Sequence, residues 1–242
     1  AYSGGLDSTF LLKAAVDALG AENVLAVTAR SETYPYSEYL ESKRLAKMIG
    51  ARQLTINTSE LAIKGFKENP VDRCYYCKKE LFEKLGTIRK ERKMAYVLDG
   101  TNLDDLSDVR HGRRAAAEIG VKSPLLYARL TKNDIRKLSK KLGLPTYDKP
   151  SFACLASRIP FGHSIDGGKL AAIDRAESFI KKQGIRQVRV RMHDRIARIE
   201  VDPPDFAKIL RARMTISRRL KSLGFIYAAL DIGGYRTGSM HE

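Results

Sequence analysis

The 242-residue chain has no uninterrupted apolar run approaching the ~20 residues that span a bilayer, and no basic-then-apolar leader precedes its first motif. The expectation is a soluble, cytoplasmic protein with no membrane partner. Cysteine is scarce, three residues in all, and the odd number argues against a disulfide framework and toward metal binding or catalysis. Acidic residues are few beside basic ones, 28 against 44, for a net charge of +16. Such an excess favours polyanionic or phosphorylated partners, although a solvated basic surface gives the same count. The tracts Arg89–Lys93 and Arg218–Lys221 fall on expected helices, where charge commonly marks an exposed face, so charge alone does not establish nucleic-acid binding. Internal repeats and low-complexity tracts are missing, and His111, His163, His193 and His241 lack an HExxH-like spacing, so no histidine is given a catalytic role. What is present, with hydrophobic residues at 43%, is enough to bury a core of one large domain or two modest ones.

Glycine punctuates the chain. Apolar-periodic segments end at Gly20, Gly50, Gly120, Gly143, Gly184 and Gly224, where a left-handed C-terminal cap suits glycine. Between the earlier helices lie short apolar runs, Val24 to Thr28, Gln53 to Ile56, Tyr96 to Leu98 and Ser123 to Leu126, each the length of a buried parallel strand. Thr131 followed by Asp134 reads as a helix N-cap with an acidic first turn, and Pro145 stops that helix. Strand and helix alternate to about residue 148, which predicts a doubly wound α/β sheet with its ligand at the C-terminal ends of the strands. Asp148 to Gly168 then reads as a loop. Beyond it come a helix over 169–182, strands over 187–192 and 196–201, a helix after Pro203-Pro204-Asp205, and a last strand over 226–230. The expected organisation is a sheet domain over 1–148, and over 149–242 a linker with the third cysteine and a smaller α+β domain for substrate binding or oligomerisation.

Ser3-Gly4-Gly5-Leu6-Asp7-Ser8, at an expected strand-to-helix junction, resembles the PP-loop of ATP pyrophosphatases. The chain opens on Ala1-Tyr2, so the strand feeding the loop is expected to begin upstream. Gly4 and Gly5 permit close backbone approach to phosphate, Ser3 and Ser8 add hydroxyl donors, and the helix that follows turns its positive end toward the anion. Asp7 is placed to hold a magnesium ion on pyrophosphate. The loop lacks the lysine of the GxxxxGK[ST] pattern. The resemblance implies cleavage of ATP between its α- and β-phosphates, giving AMP and pyrophosphate, and hence adenylation of a substrate. Asp99 to Asp105 follows another expected strand and should share that sheet edge; Gly100 and Thr101 are candidates for the nucleotide and Asp105 for a metal or substrate. Thr28 and Arg30 end the second strand and are expected beside the adenosine.

Cys74-Tyr75-Tyr76-Cys77 is a CxxC pair, which by itself reads equally as a zinc half-site, a redox pair or chance. With Cys154 in PSFACLASRIP (150–160), with RCYYCKKE (73–80), DGTNLDDLSDVRHGRR (99–114), RVRMHDRIARIE (189–200) and GYRTGSM (234–240), the chain resembles the LarE family of ATP-dependent sulfur transferases over essentially its whole length. The resemblance implies an enzyme of nickel-pincer nucleotide cofactor biosynthesis that adenylates a carboxylate of a pyridinium mononucleotide and replaces its oxygen with sulfur. Some members sacrifice the sulfur of a cysteine matching Cys154 and finish with dehydroalanine; others hold a 4Fe-4S cluster on three cysteines. Three thiolates on a cubane leave one iron open to exogenous hydrosulfide, whereas a sacrificial route leaves Cys74 and Cys77 without a role. Zinc on the same thiols would need a fourth ligand, for which His163 is the candidate. The cluster on Cys74, Cys77 and Cys154 is the expectation, with ATP, Mg2+ and sulfide or another sulfur donor, and the resemblance also points to a homo-oligomer.

Arg189 and Arg191 alternate on one expected strand and, with Arg236, suit a substrate phosphate, although strand-surface arginines would look alike. Glu177 and Glu200 are candidate polar partners there. Lys78, beside the CxxC, is placed either to offset substrate charge or as a solvated helix lysine, and Tyr34 to Tyr39 either lines a pocket or packs a loop. Two rival functions remain: a PP-loop tRNA thiolase, against which the chain shows no added RNA-binding module, and a non-catalytic nucleotide-binding iron-sulfur protein, against which stand Asp7, Ser8 and three cysteines. Nucleic acid is not the expected partner.

Overall fold

The computed structural model describes residues 1–106 and 112–236, with residues 112 and 113 described by backbone alone. The chain divides into two units, one of Ala1–Ile63 and Asp72–Phe152, the other of Lys64–Val71 and Ala153–Glu242. Among the described residues no helix is long and apolar enough to cross a membrane.

In the first unit the order is α1 (Leu6–Leu19), β1 (Leu25–Arg30), α2 (Tyr36–Ile49), β2 (Arg52–Asn57), α3 (Arg73–Glu91), α4 (Gly112–Ile119), α5 (Pro124–Tyr127) and α6 (Lys132–Lys141). β1 and β2 pair in parallel, Leu25 opposite Arg52 through Arg30 opposite Asn57. Backbone hydrogen bonds carry the layer past β1: Tyr2 N–H donates to Val27 O at 2.9 Å, and Ala1 N to Leu98 O at 2.6 Å. Leu98 in turn bridges Lys122 in parallel. Successive strand residues point to opposite faces, and both faces are covered. Ala26 packs with Leu12 of α1 and Ala46 of α2, while its neighbour Val27 packs with Phe82 and Leu85 of α3 and Ala115 of α4. This two-sided burial explains why β1 reads as apolar rather than alternating. The architecture is mixed α/β with parallel strand pairing.

Two expected strands differ. Tyr96 to Leu98 contributes a single bridge, and Ser123 to Leu126 is not a strand, because Pro124 opens α5. Proline has no N–H for a ladder, and its fixed φ suits a first helical turn, so pairing falls on Lys122. The α6 N-terminus is a reciprocal capping box between Thr131 and Asp134.

The second unit contains α7 (Gly167–Lys181), β3 (Val188–His193), β4 (Ile196–Val201), α8 (Phe206–Arg211), α9 (Arg213–Ser222) and β5 (Tyr227–Leu230). β3 and β4 are antiparallel, and β5 runs parallel to β4. Ile173, Ala176 and Ile180 of α7, Val188 and Val190 of β3, Ala197 and Val201 of β4, and Ile216 and Leu220 of α9 are buried as its core. The single helix expected after Pro203 is broken at Ala212, whose ψ of 5° leaves the helical range. Lys64–Val71, between β2 and α3 in sequence, belongs here: the buried Asn69 amide donates to the carbonyls of Ile159 and Pro160 at 3.1 and 2.7 Å.

Candidate functional site

The Ser3–Ser8 loop is shaped by its carbonyls. Tyr34 Oη donates to Ser3 O at 2.7 Å, and Lys149 Nζ donates to Gly4 O at 3.0 Å. In a planar trans peptide the C=O and N–H point oppositely, so the Gly4 and Gly5 amides face away from Tyr34 and Lys149. Gly4 has φ +65°, and a Cβ there would stand 2.8 Å from Ser42 Cβ, so this position admits only glycine without displacement of α2. Ser8 Oγ lies 3.2 Å from Ser3 Oγ and donates to Gly5 O at 3.3 Å. Gly5 caps α1 with no side-chain hydrogen bond over the helix start, which leaves first-turn amides for a ligand.

Against this loop lies the segment from Asp99 to Asp105. A Cβ on Gly100 would stand 3.1 Å from Ser8 N and 3.2 Å from the Asp7 carbonyl carbon, so glycine permits the approach. Thr101 Oγ1 donates to Asp99 Oδ2 at 2.8 Å, and Asp105 Oδ2 accepts the Asn102 N–H at 3.1 Å. Lys132 Nζ stands 3.9 Å from Asp105 Oδ1. Asp7 Oδ1 is buried with no hydrogen-bond partner. Burial raises the Asp7 pKa above the ordinary carboxylate value, Lys132 opposing and Asp105 reinforcing the shift. A buried carboxylate oxygen without a donor fits a hard divalent cation such as Mg2+. Thr28 is buried, its hydroxyl donating to Tyr2 O at 2.9 Å, so its side chain stitches the layer together. The Arg30 guanidinium lies over the rings of Tyr36 and Tyr39, 5.7 and 5.4 Å from their centroids.

Cys74 and Cys77 are the second and fifth residues of α3, three apart and therefore neighbours on its surface. Cys77 Sγ lies 3.8 Å from Oε1 of the buried Glu60. Lys78 follows on the same helix, half-buried. Cys154 belongs to the second unit, and none of the three is in a disulfide. Among the described residues no three His, Cys, Asp or Glu side chains gather as a metal site. Thiolates of this kind ligate iron-sulfur clusters and zinc alike.

In the second unit Cys154 precedes a short turn, Leu155–Arg158, held at its carbonyls by two buried arginines. Arg158 grips Glu177 with both ends of its fork at 2.9 and 3.0 Å and donates to Ala153 O at 2.7 Å and Cys154 O at 3.0 Å. Arg191 donates to Glu200 Oε2 at 2.8 and 3.0 Å and to Ser157 O at 3.0 Å. Burial alone would raise the Glu177 pKa, but the Arg158 guanidinium outweighs it and holds the carboxyl below its usual range. Arg189 lies 5.3 Å from the Tyr235 ring centroid; burial and repulsion from Arg158 lower its pKa. Arg189 and Arg191 are each 5% exposed and so are not surface arginines, whereas Arg236 is exposed. The remainder of GYRTGSM, and residues 107–111 of the other long motif with His111, lie outside the described residues.

Sequence reasoning passed over Lys149, Lys132, Asn102 and Arg158. Asn102 and Arg158 stood inside the DGTNLDD and PSFACLASRIP motifs without a role of their own, and for Lys149 the signal was a phosphate loop without its own lysine, which calls for a cation from elsewhere. Among 44 basic residues nothing ranked Lys149 above the rest.

These features define a class, an α/β protein whose loop and helix start form a seat suited to an anionic group. No family model matches the chain. It is 38% identical over 242 residues to the pyridinium-3,5-bisthiocarboxylic acid mononucleotide synthase of Lactiplantibacillus plantarum, covering 100% of this chain and 88% of that protein. An uncharacterized Synechocystis protein is 39% identical over 244 residues, with 91% of it covered, and one from Methanocaldococcus jannaschii is 30% identical over 237 residues, with 90% covered. The chain belongs to the LarE family, that of the Lactiplantibacillus synthase.

Proposed function

We propose that the protein is an ATP-dependent sulfur transferase that converts a carboxylate of a pyridinium mononucleotide to a thiocarboxylate, a step in making the nickel-pincer nucleotide cofactor. The observation that carries the reading, in a chain with this kinship, is the convergence of an amide-bearing loop with the unpartnered, buried Asp7 oxygen. In this reading the first unit is a doubly wound PP-loop domain, with Ala1–Tyr2 as the strand between β1 and Leu98. ATP binds as substrate with its β- and γ-phosphates on the Ser3–Ser8 amides, and Arg30, Gly100 and Thr101 border the nucleotide, with the buried Thr28 behind them. Mg2+ held by Asp7 would neutralise phosphate charge.

The substrate carboxylate oxygen attacks the α-phosphorus, the bond to the bridging oxygen breaks, and pyrophosphate leaves. A sulfur nucleophile then attacks the acyl carbon of the adenylate, the C–O bond breaks, and AMP departs with that electron pair. Arg189, Arg191 and Arg236 receive the substrate phosphate, Glu200 holds Arg191, Glu177 holds the neighbouring Arg158, and Lys78 and Asp105 orient the carboxylate end. A 4Fe-4S cluster on Cys74, Cys77 and Cys154 would offer an open iron to hydrosulfide or a sulfide released by another donor. The C-terminal domain serves substrate binding and homo-oligomer assembly.

The test mixes purified protein, ATP, Mg2+, the dicarboxylated pyridinium mononucleotide and sulfide, and follows AMP, pyrophosphate and the product's mass. Substrate-dependent AMP and an oxygen-to-sulfur mass change are expected. AMP formation that requires tRNA instead, with salt-sensitive tRNA binding, would give the function to a thiolase.

A further inference from the structure

The Ser3–Ser8 loop holds no lysine, yet a triphosphate needs positive charge and fixed amides at its seat. Two residues far from the loop in sequence supply the fixing. Lys149 Nζ donates to Gly4 O at 3.0 Å and pairs with Glu38 Oε2 at 2.7 Å. The lysine and its glutamate are 17% and 14% exposed, so the charges are largely shielded from water. The lysine's backbone is anchored by Arg136, which donates to the carbonyls of Tyr147 at 2.7 Å and Lys149 at 3.0 Å. Tyr34 Oη donates to Ser3 O at 2.7 Å, and its ring stands edge-on to Phe152 with centroids 5.7 Å apart. Burial, more than any neighbour, pushes the Tyr34 pKa up, so the phenol stays protonated and remains a donor.

We propose that Lys149 and Tyr34 are positioning residues for the triphosphate. By holding the Gly4 and Ser3 carbonyls outward they preset the Gly5 and Gly4 amides, and Lys149, on the far side of the Gly4–Gly5 peptide, adds the field of a positive charge without touching phosphate. Glu38, paired with Lys149, opposes phosphate binding by cancelling that field. The inference rests on ATP binding at this loop.

The test measures ATP and pyridinium-substrate KM, kcat, calorimetric ATP affinity and thermal midpoint for wild type, Lys149→Met, Lys149→Arg, Tyr34→Phe and Glu38→Gln. Loss of a charge-assisted contact in Lys149→Met should raise the ATP KM about tenfold or more, with Lys149→Arg recovering part of it. Tyr34→Phe, losing one neutral hydrogen bond, should raise it about threefold. The pyridinium KM should hold in all variants. Glu38→Gln should keep or tighten ATP affinity, opposite in sign to Lys149→Met, whereas a purely structural pair would lose together. An ATP KM unchanged in Lys149→Met, or parallel losses in Glu38→Gln and Lys149→Met with a lowered thermal midpoint, overturns the inference. Failure of the ATP reading itself looks different: wild type would neither bind ATP nor release pyrophosphate.

Discussion

Asp7 holds a carboxylate where charge is costly. Its Oδ1 is buried without a donor, and burial raises its pKa. A folded-state pKa above the unfolded one means that the group's contribution to stability is complete below the unfolded value and is lost as pH rises through the folded value. At pH 7 the ionised form therefore strains the fold, and on the proposed function Mg2+ held there would relieve it. Asp7→Asn removes the charge at constant shape. It should stabilise the apoprotein at pH 7 by about 1 kcal/mol, with the gain shrinking as pH falls toward the carboxylate range, while AMP formation is abolished. Urea unfolding of both proteins across pH checks this, and an Asn variant less stable than wild type at pH 7 would refute it.

At the scale of elements, the Cys154 turn is held by a buried ion pair as well as by the buried side chains of Leu155 and Ala156. Arg158 is 1% exposed and serves Glu177 and two backbone carbonyls together. Arg158→Met would leave Glu177 buried without its cation, at a cost of about 3–5 kcal/mol. Arg158→Lys keeps the charge but loses the fork, so it should unfold at lower denaturant than wild type and higher than Met, and alkylation of Cys154 should speed up in both. Equal denaturation midpoints for the three proteins would contradict this. The elements differed in legibility. β1, β2, β4 and the Thr131 cap were readable because period, turn residues and capping chemistry agreed. α5 was not, since an apolar run of four residues fits strand or helix and the preceding Ser-Pro decided it. The Ser3–Ser8 loop and its partner at Gly100 were legible as motifs, whereas Lys149 and Arg158 act by contacts over 145 and 19 residues of separation, which no local pattern encodes.

For the whole molecule, the chain changes unit in three places, and cysteines sit beside two of them. It returns from Lys64–Val71 at Asp72, two residues before Cys74, and leaves the first unit after Phe152, two residues before Cys154. Nothing in the composition of residues 64–71 announced that excursion; it depends on Asn69 meeting carbonyls some 90 residues away. In sequence, Cys74 and Cys154 therefore each follow one of these crossings by two residues. On the proposed function, sulfur transfer depends on all three thiols, while adenylation depends on none of them. Each of Cys74→Ala, Cys77→Ala and Cys154→Ala should therefore lower bound iron and acid-labile sulfide after anaerobic reconstitution and stop thiocarboxylate formation. AMP and pyrophosphate release should survive in all three, because Asp7 and the Ser3–Ser8 amides are untouched. Reconstituted wild type should turn over repeatedly with added sulfide. Zinc without iron in the anaerobically purified protein, or a single turnover that converts Cys154 to dehydroalanine while Cys74 and Cys77 prove dispensable, would replace the cluster with a structural metal or a sacrificial sulfur.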